Sequence, residues 1–380
     1  MNMNKFKIIS LFSGIGAFEK ALDRLNVDYE VVNYCEVDKY AAKAYSLIHN
    51  VPESKNLGDI SKVDFDSLPK DIDLVTYGFP CQDISSAGLQ KGFFDSEGNL
   101  TRSGLFFEAL KVIKSTNTKF AIAENVKALT SKTFEKEFET VLSSLDALGY
   151  NNYYKVLNAK DYGIPQNRER VFIISIRKDI DNGRFTFPKK LSLPNRLRDI
   201  LDESTPESYY VEDLKKFTID DPIIKEEPKW GFNFSWIKKT VKNVGCSLVG
   251  GFNGKTWGDT YHNGDRCYDS NYLSVCLTTT STASVKYVVP TTNTKAKGLL
   301  ERLPNGTFKF VKEVKPGMDL YRVRKLTPKE SFRLIGFSDE DYQILADNGF
   351  SKAQIYKRAG NSIVVDVLYY LMKDLLKTIK

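Results

Sequence analysis

The sequence predicts an α/β fold: a parallel-type sheet with helices on both faces, followed by a smaller, irregular β-rich region. Three observations predict it. Apolar strand-like runs alternate with segments of helical apolar spacing up to about Pro188. Those runs are nearly all apolar, as strands buried on both faces must be. From there to about Leu320 the alternation stops, and Gly, Asn, Thr and Tyr gather in short extended fragments such as SVCLTTTSTASVKYVV.

The elements follow in order. KIISLF (Lys7 to Phe12) reads as a buried strand, SGIG as a turn, and AFEKALDRL as a helix with apolar positions at Phe18, Leu22 and Leu25. YEVVNYCEVD (Tyr29 to Asp38) is a strand ending in two acids, and KYAAKAYSLIHN a helix. DIDLVTYG (Asp71 to Gly78) and KFAIAENV (Lys119 to Val126) are strands separated by the helix GLFFEALKVIKS. TFEKEFETVLSSLDALGY is a helix closed by Gly149, and YYKVLNA and RVFIISIRK are two later strands. After the irregular region, TPKESFRLIGF, SKAQIYKRAG and IVVDVLYYLMKDLLKTIK read as helices, the last with an apolar face that needs a partner in the first domain. The expected organisation is 1–190, 191–320 and 321–380, the last being the return of the chain to the first domain.

Composition narrows the function classes. The 380 residues are 42% hydrophobic, enough for at least one sizeable core. A formal charge of +7, spread along the chain, fits an anionic partner without proving one. Neither a signal peptide nor a membrane-length apolar run is visible, so a cytoplasmic protein without a membrane partner is expected. The five cysteines are irregularly spaced with no CxxC pair, which points to reduced thiols and no structural zinc. With only His49 and His262, a histidine-based metal or triad mechanism has little material, and no metal is expected.

FSGIG (Phe12 to Gly16) lies between the first strand and the first helix. Its glycines let a ligand approach the backbone, and the helix start offers free N–H groups. The spacing is neither GxGxxG nor a phosphate-gripping loop. Glu36, at the end of the second strand, can accept both hydroxyls of a ribose, and Asp59 an amino group of a base. An adenosine-containing cofactor is the reading that uses all three; a tight turn with solvated acids is the alternative.

GFPCQ places Cys81 after Pro80 at the end of a strand, where open α/β sheets carry their chemistry. A buried structural cysteine is the alternative, but the polar neighbours Gln82 and Asp83 oppose it. Glu124 ends the next strand and would stand near Cys81, where a carboxyl could serve a ring nitrogen while sulfur attacks the ring. In QNRER, alternation would set Arg168 and Arg170 on one face, two guanidinium forks for phosphate or carboxylate; alone they would read as surface arginines. TRSG gives Arg102 a similar place before a helix.

Together these motifs resemble the DNA (cytosine-5)-methyltransferases of the bacterial type, in that family's order and over nearly the full chain. The resemblance implies a Rossmann-like, S-adenosylmethionine-dependent sheet with a target-recognition domain at 191–320. It implies S-adenosyl-L-methionine as cofactor and S-adenosyl-L-homocysteine as product, with Phe12, Gly14, Gly16, Glu36, Asp59, Ile60, Pro80, Asn361 and Ser362 around it. It makes Cys81 the nucleophile, with Glu124, Arg168 and Arg170 beside it, Arg168 the closer to the target base. SSAGLQKG (Ser85 to Gly92) resembles the mobile catalytic loop, CLTTT an element facing the flipped base, RVRKLTPKE the return motif and GNSIVV the last motif. Gln82, Ser85, Ser86, Ala87, Arg102, Thr278 and Thr279 are the implied DNA contacts. Where several relatives insert a serine into the stack, this chain has Ala87, which leaves the residue filling the vacated position open.

The implied partner is double-stranded DNA with a specific short site, met by a monomer; whether a cognate restriction endonuclease acts separately or the enzyme is solitary is left open by the sequence. Two alternatives stand beside this reading: an RNA cytosine-5 methyltransferase, and a non-catalytic DNA-binding homologue. The second would be expected to lack Cys81 or Glu124, and both are present.

Overall fold

The computed structural model describes residues 5–80, 92–95, 97–191, 196–219, 245–252, 265–279 and 282–378. The chain divides into two compact units: Met1–Tyr162, Glu169–Ser192 and Ser362–Lys380 form the first, and Gly163–Arg168 with Leu193–Asn361 the second.

The first unit is built on a six-stranded sheet of β1 (Phe6–Leu11), β2 (Tyr29–Cys35), β3 (Leu74–Tyr77), β4 (Phe120–Val126), β5 (Tyr150–Asn158) and β6 (Glu169–Arg177), in the order β2-β1-β3-β4-β6-β5. The strands β2, β1, β3 and β4 are parallel neighbours, and β1 is the point at which the strand order turns back. The parallel reading needs correction at one edge: β6 runs antiparallel to both β4 and β5. The link from β5 to β6 carries no crossover helix, only a short 3-10 turn at Ala159–Tyr162, and a connection of that kind joins antiparallel strands.

Alternation explains the two covered faces. Ile9, Leu11, Val75, Tyr77, Ala121, Ala123, Val171 and Ile173 point into one cluster with Phe106, Val112 and Ile113 of α3 (Phe106–Thr116) and Val141 and Leu145 of α4 (Glu135–Ala147). The intervening Ile8, Leu74, Ile122 and Ile174 are buried on the other face. α1 (Ala17–Arg24) supplies Ala21 and Leu22 outside that cluster, and α2 (Lys39–His49) starts at an Asp38 cap that accepts from Tyr40 and Ala41 N–H.

The second unit holds a seven-stranded sheet of β7 (Phe217–Ile219), β8 (Leu248–Phe252), β9 (Arg266–Asp269), β10 (Lys286–Pro290), β11 (Leu299–Arg302), β12 (Phe308–Phe310) and β13 (Leu320–Lys325), in the order β12-β11-β13-β10-β9-β8-β7. Among the described strand pairs of this sheet, β9 and β10 are parallel and the others antiparallel. Its core joins Phe217, Val249, Phe252, Cys267, Val288, Leu300, Phe308, Tyr321 and Val323. β13 pairs with both β10 and β11, so residue 320, where the irregular region was expected to end, begins an inner strand of this sheet.

Four helices close the chain: α5 (Pro328–Arg333), α6 (Asp339–Asp347), α7 (Lys352–Asn361) and α8 (Val365–Leu376). LTPKE is now legible as physics. Thr327 caps α5, Pro328 occupies its first turn, and Glu330 closes a capping box back onto the Thr327 N–H. The same Glu330 carboxylate takes both Arg324 guanidinium nitrogens at 2.8 and 2.7 Å, fully buried. Through such contacts α5 groups with the second unit, and the chain re-enters the first at Ser362. There α8 packs on α1, with Arg24 donating to Asp366 at 2.9 Å. Among the described residues no helix is long and apolar enough to cross a membrane.

Candidate active site

The first unit gathers three turns at the C-terminal ends of its parallel strands, where an open α/β sheet leaves a crevice. The turn after β1 has φ 52° at Phe12, 57° at Gly14 and 79° at Gly16, a left-handed path that glycine takes freely. Gly16 also has no room for a side chain, because a Cβ there would run into the His49 ring.

Glu36 follows β2. One carboxylate oxygen accepts from Gly14 N–H at 2.9 Å and the other from Asp38 N–H at 2.8 Å. The carboxylate therefore faces the glycine turn, and a carboxylate oxygen can accept from more than one donor. Val37, the next residue, is 77% exposed, an apolar side chain presented beside that carboxylate. Asp59 caps a turn at Ile60–Lys62, its Oδ1 accepting from Ser61 N and Oγ, and these bonds hold its carboxyl below the usual range. Ile60 is buried behind it.

The turn after β3 runs through Gly78, Phe79 and Pro80. Phe79 is anchored among Tyr77, Phe93 and Phe106. Glu124, on the neighbouring β4, lies over this turn: its Oε2 would sit 3.6 Å from a Cβ at Gly78. Its Oε1 is 3.0 Å from Arg170 Nε, and both side chains are largely shielded. Arg170 reaches Glu124 because β6 pairs antiparallel with β4, Val126 opposite Arg170. Ile363, one residue after Ser362 and in the same unit, would be 4.0 Å from the same Gly78 Cβ.

Arg168 behaves differently from Arg170, and the expectation of two arginines on one face is corrected. β6 begins at Glu169, and Arg168 belongs to the second unit. There it is buried and donates to the Leu277 carbonyl at 2.7 Å, the Cys276 Sγ at 3.3 Å and the Gly360 carbonyl at 3.4 Å. Gln166 assists: it donates to Leu334 O at 2.7 Å and accepts from Leu277 N–H at 3.1 Å. Gly360 packs on the backbone of Thr278 and Thr279, where a Cβ would come within 2.6 Å. Thus QNR, CLTT and GN, far apart in sequence, meet in one place. Ser362 is buried, whereas Asn361, Thr279 and Arg102 are exposed.

Cys81, Gln82, Ser85, Ser86 and Ala87 lie outside the described residues. Of the described cysteines, Cys35, Cys246 and Cys267 are buried. Burial, with the nearby Glu36 and Asp59, pushes the Cys35 thiol up to about 12. Burial also raises that of Cys267. Among the described residues no cluster of His, Cys, Asp and Glu could hold a metal.

Four residues escaped sequence reasoning. Asn125 donates to the Phe79 carbonyl at 3.1 Å and steadies the turn before Pro80. His49 places Nε2 3.0 Å from the Ile15 carbonyl, which can only accept, so this nitrogen carries the proton. Asn56 bonds to Glu36 and Gly58, and Val37 adds the exposed apolar surface. Only Asn56 carried a local signal, an Asx turn two residues before a glycine; the others act at long range.

The family model for C-5 cytosine-specific DNA methylase matches residues 6–377. The chain is 32% identical over 455 aligned residues to the orphan methyltransferase M.SPRI of Bacillus phage SPR, with 99% of this chain and 98% of that protein covered. It is 31% identical over 365 residues to the type II methyltransferase M.HhaI of Haemophilus parahaemolyticus, covering 96% and 92%. Similar solved structures include the Dnmt2 methyltransferase of S. pombe, with TM-score 0.63, 21% identity and 98% and 99% covered. The methyltransferase EhMeth of Entamoeba histolytica gives TM-score 0.59 at 18% identity, covering 100% of each chain. At such identities the two structures speak for the fold, and they bear out the methyltransferase architecture expected from the sequence.

Proposed function

The chain belongs to the C-5 cytosine-specific DNA methylase family, and on that premise we propose that it methylates C5 of a flipped cytosine within a specific short sequence of double-stranded DNA. The observation that carries the reading is the Glu124 carboxylate, fixed by Arg170 over Gly78, three residues ahead of Cys81.

The residues present fit S-adenosyl-L-methionine, which the family uses as methyl donor. Glu36 carries the acceptors for ribose hydroxyls and Asp59 for the adenine amino group, and the exposed Val37 offers apolar surface to the ring, with Ile60 packed in the core behind Asp59. Phe12, Gly14 and Gly16 serve the methionine end, and Pro80, Asn361 and Ser362 complete the cofactor's surroundings. When bound, the cofactor supplies an electrophilic methyl group on a sulfonium, leaving as S-adenosyl-L-homocysteine.

Cytosine C5 is a poor nucleophile, so the protein must activate it. The Cys81 thiolate forms a bond to C6, and the electron pair of the C5–C6 bond becomes available at C5. Glu124 engages N3 and the exocyclic amine, where charge gathers. After methyl transfer the C5 proton leaves to a base, the C6–S bond breaks toward sulfur, and the ring regains aromaticity. A stacked base cannot be reached in this way, so the cytosine leaves the helix.

Arg170 orients Glu124. Arg168 secures the Cys276–Leu277 segment rather than offering its fork to solvent. Gln82, Ser85, Ser86, Ala87, Arg102, Thr278 and Thr279 are assigned to DNA, and the region 191–320 to the choice of sequence. The enzyme acts as a cytoplasmic monomer. DNA is favoured over RNA by the family description and by relatives named as type II methyltransferases.

Bisulfite sequencing of plasmid DNA from cells expressing the chain tests the reading. Protected cytosines at one short site are expected. Unprotected DNA from cells making folded protein, or methyl transfer to tRNA alone, would overturn it.

A further inference from the structure

We propose that Asn56 is a positioning residue that makes Glu36 and Asp59 act together as one reader of the cofactor's nucleoside end. The inference rests on the crevice reading above.

Each carboxylate is held locally, Glu36 by the Gly14 and Asp38 N–H groups and Asp59 by Ser61, but these bonds do not link one acid to the other. Glu36 follows the last residue of β2, and Asp59 stands in the loop beyond α2. The Asn56 side-chain amide joins their backbones. Asn56 Oδ1 accepts from Glu36 N–H at 3.0 Å and from Gly58 N–H at 3.0 Å. Asn56 Nδ2 donates to the Glu36 carbonyl at 3.0 Å. Both faces of the Glu36 peptide backbone are therefore gripped by one planar group, which also fixes the residue preceding Asp59.

Two further bonds brace the junction. Leu57 N–H donates to Tyr34 O at 2.7 Å, part of a parallel bridge between Tyr34 and Asn56 that extends the sheet, and Cys35 Sγ donates to Gly58 O at 3.0 Å. These hold the loop to β2, but none reaches Glu36. Asn56 ties the loop carrying Asp59 directly to the residue carrying the other carboxylate. A ribose and its base are joined through one glycosidic bond, so two acids that read them in one bound conformation must keep a matching spacing. A side chain that spans the two loops supplies that constraint before the ligand arrives, which lowers the ordering cost of binding.

A local Asx turn alone would explain the Gly58 bond. It does not explain the two bonds to Glu36, 20 residues away. The two roles separate by experiment, because an Asn56 that works through Glu36 has nothing left to position once the Glu36 carboxylate is gone.

The test is a calorimetric double-mutant cycle with S-adenosyl-L-homocysteine, using wild type, Asn56→Leu, Glu36→Ala and the double variant. Asn56→Leu is expected to weaken binding about tenfold, on the scale of losing buried hydrogen bonds. Duplex affinity and the single-turnover rate at saturating cofactor should stay within about twofold of wild type. In the Glu36→Ala background the same change should cost under about twofold. An equal loss in both backgrounds, or no loss in either, overturns the inference. Unchanged affinity in Glu36→Ala itself overturns the crevice reading, and the inference falls with it. Should Asn56→Leu fail to fold, Asn56→Asp enters the same cycle: it keeps the accepting oxygen and loses the donor to the Glu36 carbonyl. It should lose less affinity than Glu36→Ala and again show no added cost beside it.

Discussion

Arg170 Nε lies 3.0 Å from Glu124 Oε1, with both side chains largely withdrawn from water. The guanidinium holds one carboxylate oxygen and leaves the other over Gly78. A group whose benefit grows as charge develops on the ring should affect rate more than affinity. Glu124→Gln should bind duplex DNA about as wild type does while single-turnover methylation falls by about a hundredfold or more, on the scale of losing one positioned transition-state contact. Arg170→Met should slow the same step with cofactor affinity retained. Equal single-turnover rates in Glu124→Gln and wild type would remove the carboxylate from the mechanism.

The Arg324–Glu330 pair predicts stability rather than chemistry. Glu330 is 0% and Arg324 2% exposed, and the carboxylate also accepts from Thr327 and Asp202 N–H groups. Removing one partner strands the other charge, which costs about 3–5 kcal/mol. Glu330→Ala should lower the urea midpoint markedly, and more than Glu301→Ala, whose partner Lys309 is half-exposed. Thermal or urea melts compare the two.

Gly360→Ala tests the junction of QNR, CLTT and GN. The added methyl would meet the Thr278 carbonyl carbon at 2.6 Å and Thr279 N at 2.7 Å, so backbone must move. Overpacking of this kind costs about 1–3 kcal/mol. The variant should melt earlier and methylate every target site more slowly by the same factor. A change in which sites are methylated, with melting unaltered, would contradict this role.

Sequence specificity should travel with the second sheet. β13 is an inner strand between β11 and β10, so a graft ending at residue 320 would split the sheet and one ending at Lys325 would keep it whole. A chimaera carrying a relative's equivalent of residues 193–325 should methylate the relative's site and still yield 5-methylcytosine. Methylome sequencing reads the result; retention of the original site would put specificity elsewhere.

Much of the fold was legible because burial on two faces writes itself into a chain as apolar runs. LVTY and FAIA announce inner parallel strands in this way. Strand direction leaves no such mark, and β6, as apolar as its neighbours, gave no sign that it runs antiparallel. Local turn chemistry was equally readable, as in the Gly14 and Gly16 turn. Contacts between distant segments were not. Arg168 and Arg170 stand two residues apart in one motif, yet one anchors carbonyls and the other grips Glu124, because the strand begins between them. Asn125 reads as a strand-end residue and Asn56 as a turn former before a glycine, and only the partners brought to them by the fold reveal what they hold.

The central claim is that Cys81 attacks the cytosine ring, and covalent trapping tests it most directly. Duplex DNA with 5-fluorocytosine at the target should capture the wild-type protein in the presence of cofactor, since fluorine cannot leave as the C5 proton does. Peptide mapping by mass spectrometry should place the adduct on Cys81, with Cys81→Ser giving none. Cys35, whose thiol burial pushes up to about 12, stays protonated at pH 8 and should remain unmodified in the folded protein. An adduct on Cys35, Cys246, Cys267 or Cys276, or methylation by Cys81→Ser at the wild-type rate, would contradict the account.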